Sequence, residues 1–383
     1  MSDFFSLPVH ELVKRVKDAK LTSVEICQAY IERINKFEKD VKAWVHFDKK
    51  LLLERAEEAD NYRRSGKPTG SLHGIPVALK DIIGTYDMPT EYGSRRFEGQ
   101  RPAIDAFAVQ LLRQAGAVIL GKSVTTEIAM MTPGKTKNPH DPTRTPGGSS
   151  SGSCAAVGDY MAPLALGSQT SGSTLRPASF CGIHGYKPTF GSISCVGVSP
   201  ISRHLDHVGL LARSLEDLAL ISDTLMVYDH RDEMMLGNPA WNLSVSLERR
   251  LSGSPQIGFA RTPAWEDGDP EAFDAFEKFV ERLGPTVDEV VLPTSYGELL
   301  VHHNIVMGAG LAYFYAEEVD RKPSLMQQMT LDRIESGLSV TAGEYLRSLE
   351  SVERIRKEVY EMMRGYDVFI VPPATGEAPV GFK

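Results

Sequence analysis

Two glycine–serine blocks and one lysine upstream of them hold the residue types best suited to chemistry in this chain. The first block reads Pro146-Gly147-Gly148-Ser149-Ser150-Ser151-Gly152, and the second Gly167-Ser168-Gln169-Thr170-Ser171-Gly172-Ser173-Thr174-Leu175-Arg176-Pro177. Lys80 closes the apolar run Gly74-Ile75-Pro76-Val77-Ala78-Leu79. Small residues let a carbonyl come close to a serine hydroxyl, and such turns leave consecutive backbone N–H groups open to an oxyanion. A lysine at the end of an apolar strand is a candidate base, because burial disfavours its charged form. The combination points to acyl transfer by a serine nucleophile.

Two other motifs compete and lose on context. Gly116-Ala117-Val118-Ile119-Leu120-Gly121-Lys122-Ser123 fits the P-loop expression. A phosphate loop, however, must lie between a strand and a following helix. Here a helical pattern precedes Gly116, and 117–120 reads as a buried strand, so a turn joined to a strand is the better reading. Gly148-Ser149-Ser150-Ser151-Gly152 fits G-x-S-x-G with Ser150 as nucleophile. That elbow needs an apolar strand running into it, whereas Pro139, Pro142 and Pro146 precede this one. Its histidine would have to come from His302 or His303, which sit in a helical-looking stretch.

The elements that must position these blocks follow from periodicity. Residues 6–66 read as helical, with Thr22-Ser23-Val24-Glu25 as a capping box ahead of Ile26, Tyr30, Ile31 and Ile34. The charged stretch 54–64 reads as a solvated helix. Strands are expected at 75–79, 117–120 and 160–166, a helix over 105–116 with a glycine stop, and a loop over 132–150. Ser214 caps a helix running to about 225, and 256–260, 287–292 and 367–371 read as later strands. Helices alternating with short apolar strands predict an α/β chain, a mixed sheet sandwiched between helices.

Composition narrows the function classes. With 383 residues, 42% hydrophobic and 24% charged, the chain has the make-up of a soluble globular enzyme. A net charge of −8 argues against nucleic acid as a partner, since phosphate binding needs a basic face. Met1-Ser2-Asp3-Phe4-Phe5 lacks the pattern of a signal peptide, and no run is long and apolar enough for a membrane partner. The expectation is a cytoplasmic protein. Cys27, Cys154, Cys181 and Cys195 lack zinc spacing and read as buried thiols, with no metal site expected.

The chain resembles the amidase signature family over nearly its whole length. The residues that carry the likeness are Gly74-Ile75-Pro76-Val77-Ala78-Leu79-Lys80-Asp81, Gly121-Lys122-Ser123 with Glu127, both serine blocks, and Gly185-Tyr186-Lys187-Pro188-Thr189. It is most similar to small-amide hydrolases of the malonamidase type, which share the spacings and Gln169. The resemblance implies one amidase domain over 1–383, with 1–66 a helical region and 67–210 the signature core. It implies Ser173 as nucleophile, Ser149 as bridging serine after a cis peptide bond, and Lys80 as base. It implies an oxyanion hole from Thr170, Ser171, Gly172 and Ser173, substrate contacts from Ser150 and Arg176, and no cofactor. For Arg176 two readings stay open, a grip on a substrate carboxylate or a structural bond to loop carbonyls.

Three departures from the family pattern bear on these expectations. Ser171 stands where most members have glycine, and at a positive φ it would be strained. Gln169 stands where aspartate is usual. The chain ends at Lys383, soon after Pro372-Pro373-Ala374, where members typically continue, so the resemblance implies that the usual C-terminal segment is lacking. A sheet edge left open there would favour a homodimer. The activity expected is hydrolysis of a small carboxylic acid amide to acid and ammonia. The alternatives are an amidotransferase A-type glutaminase that works with a partner, and a shortened inactive homologue. Pocket walls are expected from loops within 290–345, including His302, His303, Asn304, Met307 and Tyr313.

Overall fold

The computed structural model describes residues 5, 7–235 and 241–381. Most of the N-terminal stretch read for a leader, and Lys383, lie outside the described residues. The chain opens with helices α1 (Val9–Lys17) and α2 (Ser23–Val41), strand β1 (Trp44–His46), helix α3 (Lys49–Arg64) and strand β2 (Pro76–Lys80). There follow α4 (Phe107–Gln114), β3 (Val118–Ser123), α5 (Ser151–Gly158), β4 (Leu164–Gln169), α6 (Leu175–Phe180), β5 (His184–Tyr186) and β6 (His207–Ala212). Then come α7 (Leu215–Leu225), α8 (Leu243–Glu248), β7 (Ile257–Phe259), α9 (Pro270–Arg282) and β8 (Val287–Glu289). The remainder is α10 (Leu299–Arg321), α11 (Gln328–Leu338), α12 (Ala342–Met363) and β9 (Val368–Ile370).

The chain divides into two compact units. The first holds residues up to 248 with 317–331 and 379 onward, and the second holds 249–316 and 332–378. In the first, six strands form one mixed sheet in the order β1-β3-β2-β4-β6-β5. β2 pairs parallel with β3 on one side and β4 on the other, while β1, β6 and β5 join antiparallel. Every residue of β2, β3 and β4 is buried, as strands covered on both faces require. The second unit carries a parallel three-stranded sheet, β8-β7-β9, and the stretch expected as pocket loops within 290–345 is mostly α10 and α11.

Several local expectations hold, for local reasons. The Thr22 hydroxyl accepts from the Glu25 N–H and the Glu25 carboxylate accepts from the Thr22 N–H, so α2 starts at its capping box. Ser214 caps α7 through the Asp217 N–H. Other caps are tertiary. Asp60 on α3 is buried, and its carboxylate accepts from the N–H groups of Ser23 and Val24 at 2.9 and 3.1 Å. It neutralises the open donors at the start of α2, so the 54–64 stretch is not merely a solvated face.

The first serine block is loop through Ser150, within the 132–150 stretch expected as one, and turns helical only at its end. Ser151 begins α5, a helix of small residues buried along its length, which packs on the sheet through Cys154, Ala155, Ala156 and Val157. A side chain at Gly152 would meet Ala43 O and Val124 N at 2.3 Å, so only glycine lets this helix start against β3. Strands β1, β5 and β6 have no clear counterpart in the sequence pattern. β1 interrupts the expected all-helical start, and β3 and β4 extend further toward the site than 117–120 and 160–166. Cys27, Cys154 and Cys181 are buried free thiols as expected, with Cys195 partly exposed. No helix among the described residues is long and apolar enough to cross a membrane.

Candidate active site

The chain leaves β2 through α4 to reach β3 on one side, then passes through α5 to reach β4 on the other. Parallel strands whose connections depart to opposite sides open a crevice at their carboxyl ends. Lys80 is the last residue of β2 and Gln169 the last of β4, with Leu79 opposite Leu166. The lysine and the second serine block therefore share one end of the sheet.

Lys80 is fully buried. Its Nζ donates to Ser149 Oγ at 2.6 Å and to Ser168 Oγ at 2.7 Å. Burial pulls its pKa down from 10.5 to about 7, opposed by the Cys154 thiol and the Asp206 carboxyl. Near neutrality the amine is thus neutral for part of the time. Ser168 was missing from the expected site. A polar side chain near the end of the buried run Leu-Ala-Leu-Gly-Ser-Gln was the available signal, because buried hydroxyls need partners.

The peptide bond Gly148–Ser149 is cis, as the resemblance implies. The Ser149 carbonyl accepts from the Thr126 N–H at 3.3 Å, and the Ser150 N–H donates to the Ser173 carbonyl at 3.3 Å. That last bond ties the two blocks together. Ser150, expected to contact substrate, is fully buried instead: its hydroxyl donates to the Ser168 carbonyl and accepts from the Ser168 N–H, both at 3.2 Å. It is a strut between α5 and β4, which also removes it as an elbow nucleophile.

Ser173 lies in the turn between β4 and α6, partly exposed, and its hydroxyl makes no hydrogen bond among the described residues. Ser171, Gly172 and Ser173 likewise donate their N–H groups to nothing among the described residues. None of residues 170–174 has a positive φ, so Ser171 sits without the strain expected of it. Gln169 has a positive role: its Oε1 accepts from the N–H groups of Thr174 and Leu175 at 2.9 and 3.1 Å, capping α6. The Thr170 hydroxyl donates to Asp206 Oδ1 at 2.5 Å.

Arg176 donates from one terminal nitrogen to the Gly148 carbonyl at 2.8 Å and forms no ion pair among the described residues. Burial lowers its pKa from the usual value. The P-loop match comes apart in the fold. Gly121, Lys122 and Ser123 lie inside β3, and Lys122 donates to the Ile83 carbonyl and to Thr90 Oγ1. Among the described residues no group of three or more His, Cys, Asp or Glu side chains is gathered as metal ligands.

Comparison with known proteins fits this geometry. Residues 25–381 match the family model described as Amidase. The chain is 35% identical over 314 residues to the A subunit of the glutamyl-tRNA(Gln) amidotransferase of Thermobifida fusca, covering 80% of this chain and 63% of that one. It is 32% identical over 401 residues to the corresponding protein of the same name from Lachnospira eligens, covering 96% and 83%. Against several such relatives, the chain spans about three fifths of their length. Among solved structures it resembles an amidase at TM-score 0.85 and 27% identity, covering 98% of this chain and 83% of that one. It resembles the peptide amidase of Stenotrophomonas maltophilia at TM-score 0.82 and 26% identity, covering 99% and 88%. A matched span running from the first turn of α2 to the last described residue, around a buried lysine bound to the serine after a cis peptide, makes this chain a member of the amidase signature family.

Proposed function

We propose that this protein hydrolyses the amide bond of a small carboxylic acid amide through an acyl-enzyme on Ser173. The observation that carries the reading is the buried Lys80 amine held on Ser149 Oγ at 2.6 Å. Neutral Lys80 takes the Ser149 proton as Ser149 takes that of Ser173, and the Ser173 oxygen attacks the carbonyl carbon. The N–H groups of residues 170–173 receive the oxyanion, each worth about 3 kcal/mol by the measured cost of deleting such a donor. On collapse of the tetrahedral intermediate the proton returns through Ser149 to the leaving nitrogen, and water then releases the acid. Ser168 holds the lysine from a second side and narrows its directions.

An acidic amide is the substrate class this reading favours. Arg176 spends one donor on Gly148 and has no carboxylate partner among the described residues, so a substrate carboxylate would complete it. The structural and binding readings of Arg176 are then two ends of one side chain. Relatives named as the A subunit of an amidotransferase favour a second reading, a glutaminase that works within a larger assembly.

A fluorophosphonate probe and a panel of amides separate these readings. The expected result is one phosphonyl adduct on Ser173, none in Ser173→Ala, and turnover of dicarboxylic acid monoamides ahead of neutral amides. Turnover by Ser173→Ala at the wild-type rate removes the nucleophile assignment. Glutamine hydrolysis appearing only with a partner protein moves the assignment to the second reading, and absence of any adduct on the wild type leaves an inactive homologue.

A further inference from the structure

Asp206 precedes strand β6, next to the turn that follows β4. β6 begins at His207, whose partner on β4 is Gln169, so Asp206 and Thr170 leave the sheet side by side. One carboxylate oxygen accepts from the Thr170 hydroxyl at 2.5 Å. The other accepts from the N–H groups of Ile201 and Ser202 at 2.7 and 2.9 Å, while the Asp206 N–H returns to the Ser202 carbonyl at 2.9 Å. This one side chain joins the 201–206 turn to the start of the nucleophile turn. Gln169 grips the same turn at its far end, through Thr174 and Leu175. Between the two grips lie Ser171, Gly172 and Ser173, whose N–H groups have no acceptor among the described residues.

We propose that Asp206 is a positioning residue for acyl transfer, acting through the Thr170 hydroxyl to hold residues 171–173 in the arrangement that receives an oxyanion. The proposal rests on the reading of Ser173 as nucleophile. A turn of serine and glycine has wide backbone freedom, and leaving three donors unsatisfied in one fixed arrangement needs an external restraint. A carboxylate supplies a stronger restraint than a neutral acceptor, since hydrogen bonds to an ionised group are about twice as strong. Placing it there has a cost, because burial raises the Asp206 pKa above its ordinary value while its donors oppose the rise.

The rate at which an alkyl fluorophosphonate labels Ser173 tests this without a known substrate. The Ser173 oxygen bonds to phosphorus and fluoride leaves, and intact-mass spectrometry counts the adduct. Thr170→Val is expected to slow labelling by on the order of 10- to 100-fold, the size of effect that misplacing a reacting group produces. Thr170→Ser should restore it to within about 3-fold, because it keeps the Oγ donor. Asp206→Asn should slow labelling in the wild-type background and add nothing once Thr170 is Val, since coupled residues are not additive. Melting temperatures of the two Thr170 variants show that both are folded. Wild-type labelling rates in Thr170→Val, failure of Thr170→Ser to restore them, or full additivity of the double variant overturns the proposal. Labelling that survives in Ser173→Ala instead overturns the nucleophile reading beneath it, so the two failures are distinguishable.

Discussion

Two buried lysines one strand apart meet opposite fates in this protein. Lys80 ends β2 and Lys122 lies near the end of β3, and both are fully excluded from solvent. Lys80 donates to two serine hydroxyls, neutral groups that accept its protons, and the Asp206 carboxyl is only a lesser influence on its charge. Lys122 donates to the Ile83 carbonyl and Thr90 and is opposed by the Asp81 carboxyl, whose own pKa burial pushes up. Burial lowers both amines, but only Lys122 has a carboxylate as its main opposing influence. On the proposed mechanism, neutral partners are what would let the buried Lys80 serve as a base, while the buried Lys122, opposed by a carboxyl, would serve the frame.

The strongest way to break that contrast is to remove each amine. Lys80→Met should lower amide turnover by about 10⁴-fold or more, in line with loss of a general base in serine hydrolases, with circular dichroism unchanged. Lys122→Met should leave kcat per folded molecule near wild type. Equal activity loss in the two variants would end the distinction. The next effect is on stability. Lys122→Met leaves the Ile83 carbonyl and the Thr90 hydroxyl without their buried donor and removes the cation that opposes the rise of the Asp81 pKa, and should cost about 3 kcal/mol in denaturant unfolding, with Asp81→Asn recovering part of it. No such penalty is expected for Lys80→Met.

The smallest effect sharpens the contrast through pH. With a Lys80 pKa of about 7, kcat/KM should rise as pH increases through 7 and level off above it, because the neutral amine is the active form. The same shift has a sign in stability. The folded-state pKa lies below the unfolded value of 10.5, so the unfolded chain binds more protons between pH 7 and 10.5. Stability from this group therefore falls as pH drops across that window, and the full penalty applies below 7. The melting temperature of Lys80→Met relative to wild type should be higher at pH 6 than at pH 10. A difference that does not change with pH would mean the amine is not held neutral.

Local chemistry made much of the frame legible. The capping boxes and stops around α2, α4 and α7 rest on residues within one turn of each other, and the buried strands at 75–79 and 117–120 announce themselves by apolar runs. The pieces that escaped were defined from outside. α5 is a run of Ser, Gly, Cys, Ala and one Val with no amphipathic period, a helix only because small residues fit flat against the sheet. Asp60 reads as one more charge on a solvated helix until the start of α2 is brought onto it. Ser150 sits in the same block as Ser149 and differs from it only in which side of the turn it faces.

By itself the sequence determined which groups were available: a lysine after an apolar strand, two small-residue turns, a family pattern that ranks Ser173 over Ser150. Those follow from residue type and near spacing, which survive in any conformation. Only the tertiary structure decided which hydroxyls the Lys80 amine touches, that Gln169 caps α6, and that Asp206 reaches Thr170. Each of these joins residues from different strands and turns at the carboxyl ends of β2 and β4. Hydrogen bonds act over about 3 Å, and only folding brings such distant positions that close.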